Sequence, residues 1–131
     1  MHREQDDVPT ILVVDDFEDF RLTLRVWLER RGYRVVEAGD GDKAIEVAAC
    51  VHPSLILMDI GMPERSGISA TYKIRENPKM DGIPIVAVTG YGSTDLHEDA
   101  VAAGCVTCLT KPVDFVELSK LLRRLLTTTG T

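Results

Sequence analysis

Short apolar runs alternate with amphipathic stretches from one end of this chain to the other, and that alternation is its strongest constraint. Repeated strand and helix units of this kind feed a parallel sheet covered by helices. The runs Ile11 to Val14, Arg34 to Ala38, Leu55 to Met58, Ile83 to Val88 and Val106 to Thr110 read as strands. Each is followed by a stretch with helical signals. In the first, Phe17, Phe20, Leu24, Trp27 and Leu28 recur at three- and four-residue steps, and Gly32 suits a left-handed cap. The second runs from about Asp40 to Cys50, burying Ala44, Ile45 and Ala48, with Pro53 at its exit. The third lies between Ser66 and Asn77, is stopped by Pro78, and has weak periodicity. The fourth covers Ser93 to Ala103, with Gly104 after it. In the last, Asp114 and Glu117 have the spacing of a capping box ahead of Phe115, Leu118, Leu121, Leu122 and Leu125.

Strand composition indicates the order in the sheet. Runs one, three and four are apolar throughout, as central parallel strands covered on both faces must be. Runs two and five carry Arg34, Glu37, Thr107 and Thr110, which suits edges. The expected fold is α/β, a flavodoxin-like doubly wound (βα)5 arrangement with a five-stranded parallel sheet in the order 2-1-3-4-5. With 131 residues the chain fits one domain, its core about residues 10–126, with short tails at 1–9 and 127–131.

Charge and cysteine content narrow the function classes. A net charge of −6 repels nucleic acid phosphates and anionic lipid, so neither is an expected partner. Clustered basic residues, Arg21, Arg25, Arg30, Arg31 and Arg34 and then Lys120, Arg123 and Arg124, read as solvated helix faces. The polar start has no signal-peptide character, and no apolar run reaches the ~20 residues of a membrane span, which makes the cytoplasm the expected location. Cys50, Cys105 and Cys108 are an odd count, read as reduced thiols. Cys105 and Cys108 form a C-x-x-C, but in a strand-like run rather than at a helix N-terminus, where a redox thiol is activated.

The chemistry follows from what stands at the carboxyl edge of each strand. Asp15 and Asp16 follow the first, Asp59 the third, Thr89 the fourth and Lys111 the fifth. Ligands of open α/β sheets bind there, where the strand order reverses. Three carboxylates in one mouth repel one another, and Lys111 offsets only one of them. A hard divalent cation resolves the conflict, and Mg²⁺ suits oxygen ligands and phosphate chemistry. One carboxylate can then act as a nucleophile toward a phosphoryl group, while Thr89 and Lys111 attend its oxygens. Taken singly, these residues have plainer roles: an aspartate caps a helix, a threonine lines a loop, a lysine is solvated.

These residues, in "ILVVDDFEDF", "LILMDIGMPERSG", "IVAVTGYG" and "CLTKPV", resemble the motifs of the receiver domains of response regulators over about Thr10 to Leu126. The resemblance implies a switch of a two-component phosphorelay, not a turnover enzyme, that catalyses only its own phosphorylation and dephosphorylation. Asp59 would accept the phosphoryl group from a histidine kinase or histidine phosphotransfer protein. Asp16 and Asp59 would ligate Mg²⁺ directly, Asp15 through water, and Gly61 through its carbonyl. Lys111 would bind the phosphoryl group, with Lys111 to Pro112 as a cis peptide. Gly67 would sit before or at the third helix, and Met62 and Pro63 would shape the loop. A downstream protein would read the face of helix four, strand five and helix five. No output domain fits, so the chain is either a stand-alone regulator or the receiver of a longer protein.

One position departs from the family pattern. Receiver domains usually carry an aromatic ring three residues before the site lysine, and here it is Cys108. Tyr91 is expected to lie over the site and either take part of that role or slow water attack. Two rivals stand beside the switch: a haloacid-dehalogenase-like phosphatase, whose nucleophile follows the first strand in a D-x-D pattern, and a Cys105–Cys108 redox module. His2, His52 and His97 are assigned to the surface.

Overall fold

The computed structural model describes residues 8–90 and 94–126, with the backbone alone for Arg65 and Thr94. Five strands, β1 (Thr10–Val14), β2 (Arg34–Ala38), β3 (Leu55–Asp59), β4 (Ile85–Thr89) and β5 (Thr107–Thr110), alternate with five helices. These are α1 (Glu18–Arg30), α2 (Gly41–Val51), α3 (Ser66–Arg75), α4 (Thr94–Ala103) and α5 (Phe115–Leu126). The strands pair in parallel in the order β2-β1-β3-β4-β5, as strand composition had indicated. No described helix is long and apolar enough to cross a membrane.

Residue alternation divides the interior into two layers, because successive strand side chains point to opposite faces. Leu12, Val14, Ile56, Met58, Ile85 and Ala87 pack with α2, α3 and α4. Ile11, Val13, Leu55, Leu57, Val86, Val88 and Leu109 pack with α1 and α5. This is why the central runs are apolar at every position.

Helix ends follow the local signals. Gly32 takes φ +93° after α1 and Gly104 φ +121° after α4. Asp40 caps α2 by accepting from the Lys43 amide at 2.8 Å, and Asp114 accepts from the amides of Val116 and Glu117 at 2.9 and 3.2 Å. At the end of α2 the left-handed residue is His52, with φ 54°. The buried side of α3 consists of Gly67, Ile68, Ala70, Thr71 and Ile74, and its small and polar members explain the weak periodicity.

Several sequence expectations need correcting. Phe17 stands at the N-cap of α1, outside its apolar stripe, and is 62% exposed. Strand β4 begins at Ile85 rather than Ile83, because Pro84 carries no amide for the ladder. Val106 precedes β5 and is exposed. Arg21 and Arg25 are not simply solvated: both bond the Glu37 carboxylate, at 2.9 and 2.6 Å. The segment holding Tyr91 and Ser93, His2, most of the 1–9 tail and the 127–131 tail lie outside the described residues.

Candidate functional site

Asp59 closes β3 and Thr89 closes β4, while Asp15 and Lys111 are the first residues after β1 and β5. The backbone holds all four at one sheet edge. Asp15 N–H bonds Ala38 O at 3.1 Å, Ile60 N–H bonds Val88 O at 2.9 Å, and Lys111 N–H bonds Thr89 O at 2.8 Å. Ladder bonding therefore runs one residue past β1, β3 and β5 and fixes the direction in which these side chains leave the sheet.

The side chains converge. Carboxylate oxygens of Asp15, Asp16 and Asp59 all lie within 4.8 Å of one another, with Asp15 and Asp59 buried and Asp16 exposed. Asp15 accepts from the Phe17 amide at 2.8 Å and from Lys111 Nζ at 2.8 Å. Asp59 accepts from the Gly61 amide at 2.8 Å, and its other oxygen is 3.6 Å from Lys111 Nζ. Thr89 is fully buried, and its hydroxyl donates to Gly90 O at 3.1 Å. The Lys111–Pro112 peptide is cis, as the family resemblance implied.

Charge in this pocket is unbalanced. Burial, aided by the neighbouring Asp15 carboxylate, pushes Asp59 up to about 6, although the Gly61 amide and Lys111 act against it. Burial works against the Lys111 ammonium, but Asp15 and Asp59 outweigh it and raise its pKa. Three acidic side chains face one lysine, all donors are hard oxygens, and one of the three carboxylates opens to solvent. That donor set fits a hard divalent cation such as Mg²⁺.

The loop after β3 is built around the pocket. Gly67 is buried at the start of α3, and a Cβ there would collide with the backbone carbonyl of Asp59. Only glycine lets α3 approach so closely. Glu64 holds φ 60° in the 3-10 turn Pro63–Arg65. A cavity of about 460 Å³ opens between this loop and the start of α2, lined by Asp16, Asp40, Met62, Glu64 and Lys73 among others.

Two neighbours of the site escaped the sequence reading. Arg21 Nη1 donates to Asp15 O at 2.7 Å while Nε bonds Glu37, so α1 is tied to the turn carrying the acidic pair. The ring of Phe20 lies 4.3 Å from Lys111 Nζ. Helical periodicity assigned Phe20 to the core and Arg21 to solvent, and neither contact has a local signature.

The surroundings of Cys105 and Cys108 disfavour the redox reading. Cys105 is buried, burial drives its pKa up to about 11, and burial also raises Cys108. Neither lies on a helix, and both are free. Cys108 packs against the α2–α4 layer. His52 is exposed and His97 is partly exposed.

A profile of the response regulator receiver domain matches residues 11–123. The chain is 32% identical over 114 residues to the polar-differentiation response regulator DivK of Brucella ovis, covering 85% of this chain and 93% of DivK. Its fold is similar to the receiver domain of sensor histidine kinase PA1611 from Pseudomonas aeruginosa PAO1, solved with a magnesium ion in the active-site cleft. That similarity has a TM-score of 0.84 and 31% identity, and covers 92% of this chain and 99% of that one. It is also similar to the Saccharomyces cerevisiae Ssk1 receiver domain, solved with the histidine phosphotransfer protein Ypd1. There the TM-score is 0.85 with 28% identity, and 95% and 92% of the two chains are covered. The third-strand aspartate and this family match favour a signalling switch over a dehalogenase-like phosphatase. The chain thus belongs to the response regulator receiver domain family, the phosphoacceptor module of two-component signalling.

Proposed function

We propose that Asp59 accepts a phosphoryl group from a phosphohistidine, with Asp15, Asp16, Asp59 and the Gly61 carbonyl as the protein's share of a Mg²⁺ site. The observation that carries this is the convergence of three carboxylates within 4.8 Å beside Lys111, from strands that are separate in sequence. Mg²⁺, when bound, neutralises the carboxylates and draws phosphoryl oxygens toward the mouth. With both Asp15 oxygens engaged by the Phe17 amide and Lys111, Asp15 suits a water-mediated role, leaving Asp16 and Asp59 for direct ligation.

In the transfer, an Asp59 carboxylate oxygen attacks phosphorus and an O–P bond forms as the N–P bond breaks. The imidazole leaves with the bonding pair, and a phosphohistidine ring already protonated on its second nitrogen departs as neutral imidazole, so no proton is needed from this chain. Lys111 shifts from Asp15 toward the new phosphoryl oxygens, and the Thr89 hydroxyl exchanges Gly90 O for another of them. The protein speeds its own phosphorylation and hydrolysis and turns over no other substrate.

The partner that supplies the phosphoryl group is a histidine kinase or a histidine phosphotransfer protein in the cytoplasm, a reading supported by the Ypd1 complex of the similar Ssk1 domain. The output is a protein contact on the face of α4, β5 and α5, where Val101, Val106 and Val116 are exposed. The whole of residues 1–131 acts as a single receiver, its core about 10–126 and its tails 1–9 and 127–131.

Intact mass after incubation with Mg²⁺ and phosphoramidate tests the reading. Wild type gains one phosphoryl group and Asp59→Asn gains none. Equal modification of the two proteins removes Asp59 from its role.

A further inference from the structure

We propose that the ring of Phe20 is a positioning residue for the Lys111 ammonium, holding it at the mouth of the site while its anionic partner changes. This rests on the reading of Lys111 as the group that meets the phosphoryl oxygens.

Among the described residues, three groups stand close to the ammonium. Asp15 Oδ2 lies at 2.8 Å, Asp59 Oδ2 at 3.6 Å and the Phe20 ring centroid at 4.3 Å. The first two are anions whose roles alter on phosphorylation. Asp59 is consumed as the acceptor, and Lys111 must leave Asp15 for a phosphoryl oxygen. The ring is the one of the three that does not change. A cation over a ring face is held by the ring quadrupole without a directed hydrogen bond, so the ammonium can turn between carboxylate and phosphoryl without losing that contact.

The placement of the ring is itself built in. Strand alternation carries Asp15 and Asp59, two residues beyond Val13 and Leu57, to the α1–α5 layer, and it carries Lys111 there from Leu109. Phe20 belongs to that layer on the first turns of α1. Arg21, the next residue, donates to Asp15 O at 2.7 Å and bonds Glu37 at 2.9 Å, which locks the height of α1 against the acidic turn. Phe20 is only partly buried, so apolar packing alone does not require so large a ring there. Leucine fills much of the same apolar space but offers the ammonium no quadrupole.

A double-mutant cycle tests this, using phosphoramidate as the donor and intact mass as the readout. At saturating Mg²⁺, Phe20→Leu lowers the phosphorylation rate constant about fivefold, because one cation–π contact sets how often the ammonium, once free of Asp15, stays at the mouth rather than swinging into solvent. Phe20→Tyr, which keeps the ring, retains the wild-type rate within about twofold. Calorimetric Mg²⁺ affinity is the same for all three proteins, because a hydrocarbon ring offers Mg²⁺ no ligand oxygen. In a Lys111→Met background, Phe20→Leu changes nothing further, since its effect passes through the ammonium.

An equal loss from Phe20→Leu in both backgrounds makes Phe20 a packing residue and overturns the proposal. So does an unchanged rate in the Lys111-containing protein, or equal losses in the leucine and tyrosine variants. Should Lys111→Met alone leave the rate at the wild-type value, it is the role given to Lys111 that fails. The two failures are therefore told apart by a single set of five rates.

Discussion

Replacing Asp59 by asparagine should stabilise the metal-free protein at neutral pH, and the gain should depend on pH in a defined direction. Asp59 is 5% exposed, beside Asp15, and holds its proton up to about pH 6, against an ordinary value of 3.8. An acid whose folded pKa is raised binds more protons when folded than when unfolded at intermediate pH. Stability is then complete below the unfolded pKa and falls as pH rises through the folded one. About two pKa units at 1.36 kcal/mol each set the loss at ~3 kcal/mol as an upper figure. Asparagine keeps the acceptor oxygen for the Gly61 amide but carries no charge, so it escapes this loss. Urea denaturation of both proteins should therefore show a stability gap that is near its minimum at about pH 4 and grows to about 2–3 kcal/mol by about pH 7. Mg²⁺ at ten times its dissociation constant should return about 1.4 kcal/mol to wild type by mass action. A gap that stays level across this pH range would refute the reasoning, because the penalty would then not come from the Asp59 charge.

Three further outcomes follow from the same structure. Gly67→Ala pushes a Cβ into the Asp59 carbonyl and should cost about 1–3 kcal/mol in chemical denaturation while shifting the acceptor. Arg75 donates to the carbonyls of Met80, Ile83 and Gly104, tying α3 to the entry of β4 and the end of α4. Arg75→Met leaves these carbonyls without that donor and should cost about 2–4 kcal/mol by the same assay. Of the three thiols, exposed Cys50 should react first with an aromatic disulfide reagent at about pH 8, while Cys105, its pKa raised to about 11 by burial, should react only on unfolding. Prompt labelling of Cys105 in the folded protein would contradict its burial.

The sequence by itself determined the sheet. The unbroken apolar runs within β1, β3 and β4 demand cover on both faces, and polar residues in β2 and β5 send those strands to the edges, which the doubly wound order 2-1-3-4-5 fits best. It also brought the acidic pair, Asp59, Thr89 and Lys111 to one edge, because parallel strands end on the same side. Only the tertiary structure decided which charge meets which. Lys111 rests on Asp15 rather than Asp59, Arg21 and Arg25 turn from solvent to Glu37, and Phe20, at the margin of the α1–α5 layer, also faces an ammonium. Periodicity records which side of an element is apolar, but not how far one element is shifted along another. Contacts between side chains that are distant in sequence depend on that shift, and it is set by the packing of the whole domain.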